Sequence, residues 1–148
     1  MENEIKRLQL YVKELEQLFS TNSIANFEEK LDVLIWSKKE ILGHLIDSAI
    51  NNLQRFTEIQ FYDKPYPVRT YNQEALVLAN NYQNKDKNDL VQFWLQINNQ
   101  ILFILQNFPV EFLDFQLLLP NKELRDLKFL ISDYIDHLAH HLTQLKYS

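Results

Sequence analysis

His137 and His141 stand four residues apart near the end of the chain, in the run Asp136-His137-Leu138-Ala139-His140-His141. On an α-helix that spacing sets two imidazoles one turn apart on one side, where they can hold a single metal ion. Three of the chain's four histidines fall in this run. The fourth, His44, lies far upstream in Trp36-Ser37-Lys38-Lys39-Glu40-Ile41-Leu42-Gly43-His44. If the fold brings His44 alongside His137 and His141, the result is an open three-histidine site for a divalent ion. Three neutral imidazoles supply no charge. They suit zinc or nickel first, then iron(II) or cobalt, and they leave coordination positions for water or substrate. A ring nitrogen binds metal only when unprotonated, so such a site weakens on acidification.

Helices must position these residues. The chain has 148 residues, 46% apolar and 24% charged, enough to bury one core as a single domain over 1–148. One glycine and four prolines allow few tight turns, which favours long helices. The absence of cysteine excludes a disulfide framework, a thiolate metal site and a catalytic cysteine, and it agrees with a cytoplasmic location. No stretch is long and apolar enough to span a membrane, and the N-terminus lacks an apolar signal region. A net charge of −5 with no basic tract argues against nucleic acid as a partner.

Apolar periodicity predicts a first helix over about 2–20, built on Ile5, Leu8, Leu10, Val12, Leu15 and Leu18. Ser37-Lys38-Lys39-Glu40 reads as a capping box opening a second helix that runs to about Ile59. Prolines 65 and 67 mark a loop, followed by a short helix over about 72–82. A third long helix is predicted over about 87–107, capped by Asp86 and stopped near Phe108-Pro109. The last starts near Lys122, with Asn121 as its cap. The sum is an all-α four-helix bundle with a short extra helix. The long link between the second and third long helices points to one crossover connection.

On the second helix, Leu42, Leu45, Ile46, Ala49, Leu53 and Phe56 share an apolar stripe. His44 falls on another face with Asp47, Ser48, Asn51 and Arg55. That face has two open readings: a ligand-bearing surface, or a solvated face carrying a histidine by accident. On the last helix His137 and His141 border the apolar stripe and His140 points further out. Asp133, four residues before His137, is placed either to orient its imidazole or to sit at a solvated rim.

Trp36-Ser37, Glu40, Leu42-Gly43-His44-Leu45, Asp47-Ser48 and Asn52 with Arg55-Phe56 together resemble the first signature of the DinB-like (damage-inducible B, YfiT-type) superfamily. The tail from Tyr134 through His137 and His141 to Gln144 and Leu145 resembles its second signature, in the family's order. The resemblance covers about a quarter of the chain. It implies a four-helix bundle binding one divalent metal through His44, His137 and His141, with His140 as a non-ligating neighbour and Trp36 as a packing residue. It also implies chemistry with low-molecular-weight thiols.

Several functions follow as expectations. In the first, a metal-dependent S-transferase takes a thiol from solution and passes it to a small electrophile. There Arg55, about 16 Å along the helix from His44, holds a cosubstrate carboxylate unless it pairs with Glu58. A hydrolytic variant would want a general base, for which Asp47 is the nearest candidate by sequence. The alternative is a non-catalytic, metal-binding homodimer with a structural or stress-related role. In that case the apolar segment from Phe108 to Leu119 either covers the bundle end or forms an interface. A three-histidine iron oxygenase shares the ligand set but has no other support in the chain.

Overall fold

The computed structural model describes residues 1–147. Four long helices carry it: α1 (Glu2–Ser20), α2 (Lys38–Glu58), α4 (Lys87–Asn107) and α5 (Leu127–Tyr147), with the short α3 (Gln73–Ala79) between α2 and α4. α1 packs on α4 and α5, and α2 also packs on α4 and α5. The members of each pair, α1 with α2 and α4 with α5, therefore occupy opposite corners of the bundle. The links over 21–37 and 108–126 span these diagonals. The long 59–86 link, where the sequence suggested the crossover, joins neighbours.

Local chemistry explains most boundaries. At the start of α2 the Ser37 hydroxyl accepts from the Glu40 N–H at 3.0 Å, and the Glu40 carboxylate accepts from the Ser37 N–H at 3.0 Å, closing the predicted capping box. Asp86 caps α4 by accepting from Asp89 N–H at 3.0 Å, and Pro109 follows directly after its C-cap, Phe108. Asn72 caps α3 through the Ala75 N–H. α3 ends at Ala79, short of the expected Tyr82. Asn81 takes a left-handed conformation (φ 53°), and a 3₁₀ turn over Tyr82–Asn84 follows.

The start of α5 differs from the sequence expectation. Residues expected in its first turn form an edge strand instead. β1 (Tyr66–Pro67), β2 (Gln116–Leu118) and β3 (Leu124–Asp126) make a small sheet, parallel between β1 and β2 and antiparallel between β2 and β3 with Leu117 opposite Arg125. The backbone of 124–126 is thus committed to β2, and the helix begins at Leu127. Asp126 caps it through the Phe129 N–H, while Asn121 accepts from Glu123 N–H in the preceding turn. This sheet puts Leu117 and Tyr66 into the core and lays Phe112 and Phe115 against it. The apolar 108–119 segment therefore covers one end of the bundle.

The polar face of α2 is not solvated. His44, Asp47, Ser48 and Asn52 are all buried, because α5 covers one side of that face and α3 with the Tyr82 turn covers the other. Tyr82 approaches so closely that a Cβ on Gly43 would lie 2.2–2.8 Å from its side-chain carbons. The chain's one glycine in a helix interior is explained by this contact, since alanine would otherwise be the better helix former. Gly43→Ala should therefore destabilise the protein by about 1–3 kcal/mol as overpacking. Urea denaturation reads this directly, and a neutral or stabilising result would contradict the close-approach account.

Candidate metal centre

The capping box fixes where α2 begins, and His44 follows two turns later with 1% of its surface exposed. From the neighbouring corner, α5 presents His137 and His141 on the side that packs against α2. The three rings stand nearly perpendicular to one another, with interplanar angles of 78–80° and centroids 4.5–4.9 Å apart. Their edges meet instead of their faces. His44 Nε2 lies 3.0 Å from His137 Nε2, and His141 Nε2 lies 3.1 Å from the same atom. His140 is exposed and stays outside this group, with its ring 5.0 Å from that of His141.

The donor set fits a divalent ion. One ion bound to three imidazole nitrogens at its usual distance holds them roughly 3 to 3.4 Å apart. Protonation supports the fit. Gln144 Oε1 can only accept, so His141 Nδ1 at 2.7 Å must carry a hydrogen, which leaves Nε2 with a bare lone pair pointing at its two counterparts. The Ser48 hydroxyl lies 3.5 Å from His137 Nδ1. Among the described residues, His44 has no hydrogen-bond partner except His137. Three nitrogens converging this way share at most one proton between neighbours, whereas one cation meets three lone pairs. Ser48 and Gln144 are thus the groups beside the outer ring nitrogens, and Asp133 is not.

Desolvation keeps the imidazoles neutral. Burial, followed by the neighbouring His137 and His141, lowers His44 to about 3. Burial followed by His141 and His140 brings His137 down to about 4. His141 is also lowered by burial, with the Gln144 hydrogen bond opposing. All three are therefore in the ligating form at neutral pH.

Other residues singled out in the sequence take different places. Asp47 does not face the histidines. Its Oδ1 accepts from the Tyr82 hydroxyl at 2.6 Å and from Asn80 Nδ2 at 3.1 Å, and burial raises its pKa. Arg55 does not pair with Glu58, which accepts from Tyr66 and Gln54. Its guanidinium donates to the Arg69 carbonyl at 2.6 Å and lies over the Tyr71 ring. Trp36 is more than a packing residue. It is half-buried, with its ring 4.9 Å from that of His44, and it lines the cleft that reaches His141. That position depends on the 21–37 link, which no helical periodicity could place.

Clefts reach the histidines from different quarters. A depression of about 530 Å³ is lined mostly by polar residues, among them His137, His140, Arg55 and Asp133, with Tyr71 beside them. Two adjoining depressions of about 360 and 410 Å³ share Ile35, Trp36, Ile41 and Gln144, and the first includes His141. No carboxylate joins the histidine group among the described residues.

No protein-family model matches the sequence, and comparison with curated proteins finds no match. Solved structures do match. YfiT from Bacillus subtilis, described as a probable metal-dependent hydrolase with an unusual four-helix bundle topology, superposes with a TM-score of 0.81 at 19% identity. The match covers 97% of this chain and 82% of that one. The mycothiol-dependent maleylpyruvate isomerase matches with a TM-score of 0.72 at 12% identity over 97% of this chain, and a point variant of it with 0.76 at 10%. These likenesses show a shared fold, the four-helix bundle topology described for YfiT. This chain spans only 60% of the isomerase.

The depressed imidazole pKa values give a stability prediction for metal-free protein. Folded values of about 3 and 4 lie below the unfolded value near 6.5, so the unfolded chain binds more protons between them. Stability is complete above about 6.5 and falls as pH drops toward the folded values. Between about pH 6.5 and 5 most carboxylates remain ionised, so the loss there reports the histidines. Urea midpoints of chelator-treated protein should fall across that window, and less steeply in His44→Gln. A flat profile in the parent would contradict neutral burial.

Proposed function

We propose that this protein is a metal-dependent thiol S-transferase, with His44, His137 and His141 holding one divalent ion, zinc or nickel ahead of iron or cobalt. The convergence of three Nε2 atoms within contact distance of a single point carries this reading. The shared fold with a mycothiol-dependent isomerase supports the choice of a thiol. An ion held by three neutral imidazoles keeps its positive charge and open positions, and so favours thiolate over thiol in a ligand bound there. The chain has no cysteine to compete for that place.

The chain's own residues then bind and orient. Arg55 lines the polar cleft that also reaches His137, and a guanidinium has five N–H donors, more than its present contacts use. It suits a carboxylate on the cosubstrate. Gln144 holds the His141 tautomer, and Trp36 shields the His44 ring. In the transfer the sulfur gains a bond to the electrophilic carbon and the electrophile's leaving group departs with the bonding pair. The thiol proton ends on that group or in solvent. No protein base is required.

Hydrolysis is the second reading, favoured by the likeness to YfiT. It calls for a base beside an attacking water, and Asp47 is engaged with Tyr82 and Asn80. The homodimeric, non-catalytic reading is the third; in it the clefts would have no ligand.

Cobalt-loaded protein distinguishes these. Adding N-acetylcysteine should produce thiolate-to-cobalt charge-transfer absorption, and free thiol should then disappear on addition of an alkylating electrophile. Arg55→Gln should weaken N-acetylcysteine binding about tenfold, as loss of a charge-assisted contact, and its methyl ester much less. Ester cleavage that proceeds without thiol, with no charge-transfer band, would instead establish the hydrolase.

A further inference from the structure

The link before α2 carries an apolar rim in a place where burial would be expected. Leu31, Val33, Leu34 and Ile35 are 78%, 82%, 89% and 55% exposed, four aliphatic side chains in a run broken only by Asp32. Isolated exposed leucines are ordinary, but a contiguous set beside a cleft is not. The segment is held open by its own bonds. Asp32 accepts from the Leu34 N–H at 2.8 Å through its side chain and from Ile35 N–H at 3.1 Å through its carbonyl. Lys30 donates to the Ile35 carbonyl at 3.0 Å and pairs with the buried Glu40 of the capping box. The rim is therefore tied to the start of α2, the same turn that sets the position of His44.

Below the rim, Ile35, Trp36 and Ile41 line both adjoining depressions, Leu31 edges the larger, and Leu34 edges the one that includes His141. Their volumes of about 410 and 360 Å³ fall in the range of small-molecule sites. The charges differ from those of the polar cleft. The charged groups here are Glu29 and Lys38 on one depression and Glu74 on the other, with no arginine. An anionic substrate gains little on this side, and a neutral apolar one gains contact without desolvating a charge.

We infer that this apolar cleft is the subsite for the electrophile, and that the electrophile carries a neutral alkyl or aryl group of about six to ten carbons. This rests on the three histidines holding a metal. The reacting end sits at the histidines, and the apolar body lies along Ile41, Trp36 and Ile35 under Leu34. The cosubstrate thiol enters from the polar cleft on the His137 side, so the two reactants do not compete for one path.

A metal-directed probe series tests the subsite without knowledge of the substrate. Zinc-loaded protein is titrated calorimetrically with n-alkyl hydroxamates from acetohydroxamate to octanohydroxamate, after its zinc content has been measured. Each methylene buried in the cleft should tighten binding about two- to fourfold, so octanohydroxamate binds at least roughly fiftyfold more tightly than acetohydroxamate. In the doubly substituted Leu34→Ser, Ile35→Ser protein that ratio should drop severalfold. Val110→Ser, an exposed aliphatic site in the 108–119 segment, should leave it unchanged. Equal affinity across the series, with zinc bound, overturns the subsite while leaving the metal reading intact. A dimer by sedimentation that the double substitution dissociates also overturns it, because the rim then covers a second copy. Protein that takes up no zinc removes the metal reading and the subsite together.

Discussion

Three imidazole edges share one point in the interior, and most of the architecture is arranged to keep them there neutral. Bringing two potential cations to 3.0 and 3.1 Å from a third is tolerable only if none is protonated. Burial achieves this, lowering His44 to about 3 and His137 to about 4. Burial in turn requires that a polar face of α2 be covered instead of solvated. α5 covers it on one side, and α3 with the Tyr82 turn covers it on the other. Gly43 admits that turn, and the Tyr82 hydroxyl donates to one carboxylate oxygen of the buried Asp47. The glycine, the tyrosine and the aspartate are thus structural supports for a site none of them touches.

Bundle topology meets the same need. His44 and the His137–His141 pair come from neighbouring corners although 93 residues separate His44 from His137. α1 and α4 fill the remaining corners with apolar side chains, among them the fully buried Trp94. Across the core, Tyr134 donates to the buried Asn98 at 2.5 Å, a polar pair that ties α5 to α4 one turn before His137. Such a bond helps hold the rotation of α5, on which the direction of both its histidines depends.

Much of this was legible in the amino-acid sequence where local rules govern. The span of α4 follows from its Asp86 cap and Pro109 stop, and the start of α2 from its capping box. The i, i+4 spacing of His137 and His141, and the outward phase of His140, follow from helical geometry alone. What stayed hidden depends on distant coverage. Hydrophobic phase put His44 and Asp47 on a polar face, and no pattern in α2 says that other elements bury it. The start of α5 was displaced because 124–126 pair with a strand whose partner cannot be read from polarity. Trp36 and the aliphatic residues before it lie in an irregular link, where periodicity gives no information on direction. The signature resemblance to DinB-like bundles brought in Gln144, whose role beside His141 is a matter of side-chain geometry.

The central claim is that one ion is held jointly by residues from α2 and α5. Elemental analysis of purified, untagged protein beside His44→Ala and His141→Ala tests it most directly. The account predicts about one divalent ion per chain in the parent and loss of most of it in either variant, since an open site with two ligands binds far more weakly. A parent that neither retains an ion nor takes up added zinc or nickel would contradict it. So would metal that stays at full stoichiometry when His44 is removed.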